Sequence, residues 1–273
     1  MDAPERDPVA GVQAAVLRQL DLSTPSVARM YDYYLGGKDN FEVDRECADE
    51  VLRRAPLVPV VAQANRDFLR RAVRYLAREC GIRQFLDIGT GLPTQDNVHQ
   101  VAQRVDPRVR VVYVDNDPLV LIHAQALLAN NPNTLALAGD LRQPWRILDD
   151  PHVRGVIDFR EPVAVLLCGI LHFIPDHDDP YGIVATLVHA MAPGSYLVVS
   201  HAERHRDLTP ATGAYDRASS PVVLRSLVEI AGFLNGLEWV EPGVVYLPLW
   251  RPDRPMPTDR LRVPAYGGVG RKP

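Results

Sequence analysis

Phe85-Leu-Asp-Ile-Gly-Thr-Gly-Leu-Pro-Thr94 and Val111-Val-Tyr-Val-Asp-Asn-Asp117 are the stretches that decide the fold, with Asp115 standing 24 residues past Gly91. Each begins as a short apolar run of strand length and ends in residues that favour a turn. The first run empties into Gly89 and Gly91, which let the backbone turn sharply and approach a ligand, while Asp87 at the strand's end can accept hydrogen bonds. The second run places Asp115 at the carboxyl end of the next strand, where a carboxylate can take both hydroxyls of a ribose. A third signal follows in order at Ala138-Gly-Asp140-Leu141, where an acid can accept from an exocyclic amine.

Further runs occur at 134–138, 163–168 and 195–200, separated by helix-length segments at 95–105, 118–130 and 182–191. Strands alternating with helices predict a doubly wound, mostly parallel α/β sheet. Residues 237–249 and 263–270 read as an antiparallel pair at its edge. Upstream the periodicity is helical: Thr24 and Pro25 open a helix carrying Val27, Met30, Tyr31 and Tyr34, Gly36 and Gly37 close it, and helices are expected near 45–54 and 59–80. The domain reading is a tail over 1–23, a helical extension over 24–80 and a ligand-binding domain over 81–273. The tail includes an amphipathic stretch, Val12 to Leu20.

Composition excludes several classes. The 273 residues carry 30 Lys plus Arg against 34 Asp plus Glu, a net charge of -4 that disfavours constitutive nucleic-acid binding. The longest apolar run, Val163 to Leu171, is far short of the ~20 residues a bilayer span needs, so no membrane role is expected. The acidic N-terminus has no apolar core of a secretory signal, and three scattered cysteines, Cys47, Cys80 and Cys168, suit a reducing cytoplasm better than a disulfide framework. Nothing in the pattern speaks to oligomeric state.

With the three acids in register, the chain resembles the class I S-adenosylmethionine-dependent methyltransferases, and more closely an actinobacterial S-adenosyl methyltransferase family formerly defined as a domain of unknown function. The strings carrying the closer resemblance are Pro25-Ser-Val-Ala-Arg-Met-Tyr-Asp-Tyr-Tyr-Leu-Gly-Gly-Lys-Asp-Asn-Phe41, Phe85 to Thr94 and Leu171-His-Phe-Ile-Pro175. The resemblance implies a Rossmann-like fold with a seven-stranded sheet and S-adenosyl-L-methionine as cofactor. Asp87, Gly89 and Gly91 would line its methionine end, Asp115 would hold its ribose, and Asp140 with Leu141 would meet the adenine. Pro93 departs from the broad class, which usually has a third glycine there.

Thr90, Asn116 and Cys168 complete the expected binding set on the sheet side. From the N-terminal segment come Tyr31, Gly37 and Asn40, in a stretch read as a lid: aromatic faces attract a sulfonium, and the paired glycines offer a hinge. The bland alternative is an aromatic stripe packed into the core. His172, leaving the fourth strand, is the one candidate general base, against the commoner role of a structural histidine. Asp176 to Asp179 read as a turn that caps the next helix, and no metal is expected. His201-Ala-Glu-Arg-His205 lacks the glutamate beside its first histidine that a zinc protease needs, so it reads as a rim to the acceptor pocket, with Tyr215.

The leading functional expectation is a methyltransferase acting on a small-molecule acceptor. The alternatives are a protein that binds S-adenosylmethionine or S-adenosylhomocysteine without turnover, and a nicotinamide-dependent oxidoreductase. The oxidoreductase calls for a Tyr-x-x-x-Lys pair near the fourth or fifth strand, and the sequence has none there.

Overall fold

A computed structural model describes residues 22–93, 96–128, 131–254 and 262–273. The amphipathic stretch 12–20, the Thr94 turn and the later part of the proline-rich 250–258 loop, from residue 255 on, lie outside the described residues.

Among the described residues three helices come first: α1 (Val27–Tyr34), α2 (Glu42–Arg54) and α3 (Val58–Arg78). Then β1 (Gln84–Ile88), α4 (Val98–Gln103), β2 (Arg110–Asp115), α5 (Pro118–Leu128), β3 (Thr134–Ala138), α6 (Pro144–Asp149), α7 (Pro151–Val156), β4 (Ala164–Cys168), α8 (Pro180–Ala190) and β5 (Tyr196–Ala202) alternate. The chain finishes with a 3-10 segment (Thr209–Arg217), α9 (Leu227–Gly232), β6 (Glu238–Trp239), β7 (Val245–Tyr246) and β8 (Ala265–Arg271). Helices α6 and α7 escape the periodicity because each is six residues long and opens on a proline, which reads in sequence as a break although it suits a first helical turn.

The sheet runs β3-β2-β1-β4-β5-β8-β6, with β7 also paired to β8. Strands β1 to β5 are parallel, and β8 is antiparallel to β5, β6 and β7. The described sheet therefore has eight strands instead of seven, because Pro242-Gly243 interrupts the 237–249 run and leaves two short strands on one partner. The fold is otherwise the expected doubly wound α/β arrangement.

Alternation along each strand divides the core in two. Phe85, Val111, Leu166 and Val198 face one way and pack with Phe68, Ala72 and Leu76 of α3. Leu86, Val112, Val165 and Leu197 face the other way and pack with Ile147, Ile183 and Leu187. At 25 cal/mol per Å², a buried side chain of this kind contributes about 1.5–3 kcal/mol, so both faces of β1 and β4 are fixed in register. A third cluster joins Met30 and Tyr34 of α1 and Cys47, Ala48 and Val51 of α2 to Ala211, Ala214 and Tyr215 of the 3-10 segment. The strand order reverses between β1 and β4, which leaves a crevice beyond their carboxyl ends, where open α/β sheets bind ligands.

Candidate functional site

That crevice is a cavity of about 400 Å³, reached by the tips of β1 to β4 and by α1 and α3. Gly89 and Gly91 have φ of +74° and +66°, a region that disfavours side chains. A Cβ at Gly89 would also lie 2.6 Å from Ile170 Cγ1, so the β1 turn and the segment after β4 approach too closely for any other residue.

Asp87 and Asp115 both line this cavity and are both almost wholly buried. The N–H of Gly91 donates to Asp115 Oδ2 at 2.8 Å, and the N–H of Asp117 donates to Oδ1 at 2.9 Å. Thr90 Oγ1 donates to Asp87 Oδ2 at 3.1 Å. Burial pushes the Asp87 carboxyl up to about 7 against the pull of Arg66, and pushes Asp115 up to about 6 against its backbone hydrogen bonds. Two acids held near neutrality in one cavity suit a cationic partner, which would restore the charge that burial opposes.

Asn116 lines the wall beside Asp115, while Asp117 caps α5 by accepting from the Leu119 N–H at 2.8 Å. Its other oxygen accepts from the Ser26 hydroxyl. The N–H of Ser219 donates to the Pro25 carbonyl at 2.8 Å, so the start of α1 is clasped between α5 and the segment after the 3-10 turn. Gly139, Asp140 and Leu141 line the β3 side. The Asp140 carboxylate is engaged by Arg142, whose N–H and Nε donate at 2.9 and 3.0 Å. Leu141 is buried. Cys168 lines the β4 side, and burial above all pushes its thiol far up, which keeps it protonated.

Tyr31 belongs to the wall, its hydroxyl donating to the Ala62 carbonyl and accepting from Asn65 Nδ2, both at 3.0 Å. Gly37 and Asn40 do not line the cavity. They instead build a tight turn around Asp32, which accepts from the Asp39 N–H at 2.9 Å and from Asn40 Nδ2 at 2.8 Å. A Cβ on Gly37 would overlap the Asp32 carboxylate, so this glycine serves close packing, in place of the expected hinge.

His172 lies outside this cavity and lines a second one of about 90 Å³, together with Tyr34, His201 and Tyr215. The two cavities share Val27, Tyr31, Asn65, Gly169 and Phe173 as walls. Burial, with help from Arg225, holds the His172 imidazole down to about 3, so it is neutral at ordinary pH. Arg225 can only donate, so His201 Nε2 accepts from it at 3.0 Å and His201 Nδ1 donates to the Ala202 carbonyl at 2.7 Å. His205 stands beside Asp207 instead, 3.5 Å away, and does not reach the second cavity. In the acidic run, Asp179 caps α8 by accepting from the Gly182 N–H at 3.0 Å, and Asp176 accepts from Arg225 at 2.6 Å.

A family model described as S-adenosyl methyltransferase matches residues 13–273. The chain belongs to the S-adenosyl methyltransferase family. Its fold is that of the class I methyltransferases. Two solved structures share it closely. A candidate methyltransferase from Thermobifida fusca YX is 44% identical, covering 93% of this chain and 97% of that one with a TM-score of 0.88. A DUF574 family protein from Streptomyces avermitilis MA-4680 is 43% identical over 93% and 99% of the two chains, also at 0.88. The mitomycin 7-O-methyltransferase MmcR shares the fold alone, at 18% identity and a TM-score of 0.50 over 79% of this chain and 56% of that one. No curated protein matches the sequence.

Sequence reading of this S-adenosyl methyltransferase family member missed Asn65 and Arg66, which α3 brings into the first cavity. One signal was available for Asn65: it falls on the buried stripe of α3 with Ala62, Phe68 and Leu69, and a polar residue on an apolar helical stripe needs a partner. Arg225 was also missed. It is almost fully buried and donates to the carbonyls of Leu171 and Ile174, both at 2.9 Å, yet nothing local in Leu224-Arg225-Ser226 announces a core position.

Proposed function

We propose that the protein is a methyltransferase that takes S-adenosyl-L-methionine in the first cavity and passes its methyl group to a small-molecule acceptor. The observation that carries this reading is the pair of buried carboxylates, Asp87 and Asp115, one at each tip of adjacent strands β1 and β2 and both raised by burial in a single cavity. The residues fit the group: a cationic sulfonium nucleoside supplies the positive charge these acids lack, and the tight β1 turn leaves backbone at Gly89 and Gly91 where a side chain would block approach.

Asp115 would hold the ribose hydroxyls with the lone pairs left over from its two backbone donors, and Asp87 with Arg66 would orient the amino-acid end. Leu141 would pack on the adenine. Asp140, already bound to Arg142, would contribute less than its position suggests. S-adenosylmethionine supplies an activated methyl group, so the chain mainly has to align the acceptor and exclude water. The clasp of Ser26 on Asp117 and of Ser219 on Pro25 closes the cavity from the side of α1, which is the sense in which the N-terminal segment acts as a lid.

No helix among the described residues is long and apolar enough to cross a membrane. Cys47, Cys80 and Cys168 are all free, in keeping with a cytoplasmic setting. The test is turnover: the protein is incubated with methyl-labelled S-adenosylmethionine and a small-molecule metabolite extract. Label appearing in a new small molecule together with S-adenosylhomocysteine is the expected result. Binding of the donor with no transfer to any fraction would make it a binding protein instead.

A further inference from the structure

The second cavity adjoins the first across Tyr31, Asn65, Gly169 and Phe173, so a molecule seated in it reaches the side of the donor. Much of its wall is apolar, with Val58, Val61, Leu208 and Leu224, and among the described residues no acidic, lysine or arginine side chain lines it. Burial holds His172 and His201 below their ordinary pKa, so the histidines add no charge. A charged group entering here would leave water with no opposite charge to meet it.

One polar pair in the wall is incomplete. The hydroxyls of Tyr34 and Tyr215 lie 3.0 Å apart, and either can donate to the other. Burial pushes the Tyr215 hydroxyl up to about 12 and raises that of Tyr34 as well, so both keep their protons. The bond between the two oxygens uses one proton and leaves the other. Among the described residues no hydrogen bond takes up that second proton, and rotation about its C–O bond turns it to whatever acceptor the cavity holds. Neighbouring polar side chains have partners of their own: Ser200 donates to Asn65 Oδ1, Asn65 Nδ2 to the Tyr31 hydroxyl, and Thr212 to the Thr209 carbonyl. A wholly apolar occupant would strand the tyrosine proton, whereas a neutral oxygen would accept it.

Size limits the occupant further. An apolar cavity of about 150 Å³ takes benzene, so one of about 90 Å³ takes a group of ~4 heavy atoms. Resting on the methyltransferase reading above, we propose that the acceptor is uncharged and two-ended. A compact aliphatic group carrying a neutral oxygen, such as a carbonyl, fills the second cavity and accepts from the hydroxyl pair of Tyr34 and Tyr215. The atom to be methylated lies at the other end, by the wall that the two cavities share. Tyr34 and Tyr215 thus set specificity by holding the anchoring end and take no part in the chemical step.

The experiment uses the full chain loaded with S-adenosylhomocysteine and four probes of one shape: acetone, isobutene, acetate and acetamidinium. Tyrosine labelled at Cζ is followed by NMR. Acetone should give a saturable shift at Tyr34 and Tyr215 and bind at least about tenfold tighter than acetate or acetamidinium. Replacing both tyrosines, Tyr34→Phe with Tyr215→Phe, keeps the shape of the wall and removes the donor. That pair of changes should cut acetone affinity relative to isobutene by about tenfold, the worth of one hydrogen bond, as read by ligand-observed NMR. At least one of the two single variants should keep the preference within about threefold, because the surviving hydroxyl has no partner left and its proton is free for the guest. Acetone should also suppress label transfer from S-adenosylmethionine to the metabolite extract in step with its occupancy, while acetate at the same concentration should not. Tight binding of either ion, an unchanged preference in the double variant, equal losses in both single variants and the double, or label transfer indifferent to acetone overturns the inference and leaves the methyltransferase reading standing. Absence of donor binding, or of any label transfer, overturns that reading itself.

Discussion

The N–H of Gly91 donates to Asp115 Oδ2 at 2.8 Å, which ties the glycine turn after β1 to the tip of β2. One carboxylate thus shapes the loop that would embrace the donor and faces the cavity that would hold its ribose. Asp115→Ala should therefore weaken S-adenosylmethionine binding by at least about 2 kcal/mol, roughly thirtyfold, since hydrogen bonds to charged groups run at about 1.5–3 kcal/mol each. Asp140→Ala, which removes a carboxylate already bound to Arg142, should change affinity less than about fivefold. Calorimetric titration of the two variants separates them, and equal losses would remove Asp115 from its special place.

The pH dependence follows from burial of the two acids. Asp87 at about 7 and Asp115 at about 6 both lie above the ordinary value of 3.8, so their neutral forms are favoured in the folded protein. Their contribution to stability is full below pH 4 and is lost as pH rises through 6 and 7. The ligand-free protein should thus gain stability from pH 8 to pH 5 more than Asp87→Asn does, as read from denaturant midpoints. Cationic donor favours the charged acids, so its affinity should rise from pH 5 to pH 8, and binding near pH 6 should release protons, measurable in buffers of different ionisation enthalpy. Proton uptake on binding would contradict this account.

Arg225 joins three segments by donating to the carbonyls of Leu171 and Ile174 and to His201 Nε2. Arg225→Leu leaves those acceptors buried without a donor and should cost about 3 kcal/mol or more by chemical denaturation. Arg225→Lys should recover little, because an ammonium cannot span the fork of acceptors. Asp176, whose side chain is 78% exposed, should lose under ~1 kcal/mol on replacement by alanine although it pairs with the same arginine.

Gly89→Ala should weaken folding and donor binding together, because it adds a Cβ at positive φ against Ile170. Ile170→Ala in the same chain should recover the contact share of the loss, though not the backbone share. A double-mutant cycle with a coupling energy of at least about 0.5 kcal/mol checks this.

The parallel sheet was legible because β1, β2 and β3 announce themselves as apolar runs ending in Gly or Asp, and β3 begins and ends where the sequence places it. Asp87 and Asp115 were legible for the same reason, since a strand's carboxyl end is where sequence and site coincide. Gly37 and Asn40 misled because a glycine pair can serve as a hinge or as a close contact, and only the buried Asp32 carboxylate decides between them. The second cavity could not be foreseen: its walls come from α1, α3, β5 and the 3-10 segment, brought together by packing between residues far apart in sequence.

The central claim is that Asp87 and Asp115 together grip one cationic nucleoside. Its most direct test is calorimetric titration of the full chain with S-adenosylmethionine, S-adenosylhomocysteine and NAD. One equivalent each of the first two should bind, with no heat from NAD and with both affinities lost in Asp115→Ala. Binding of NAD in place of the sulfonium nucleoside, or donor affinity unchanged by that substitution, would contradict the account.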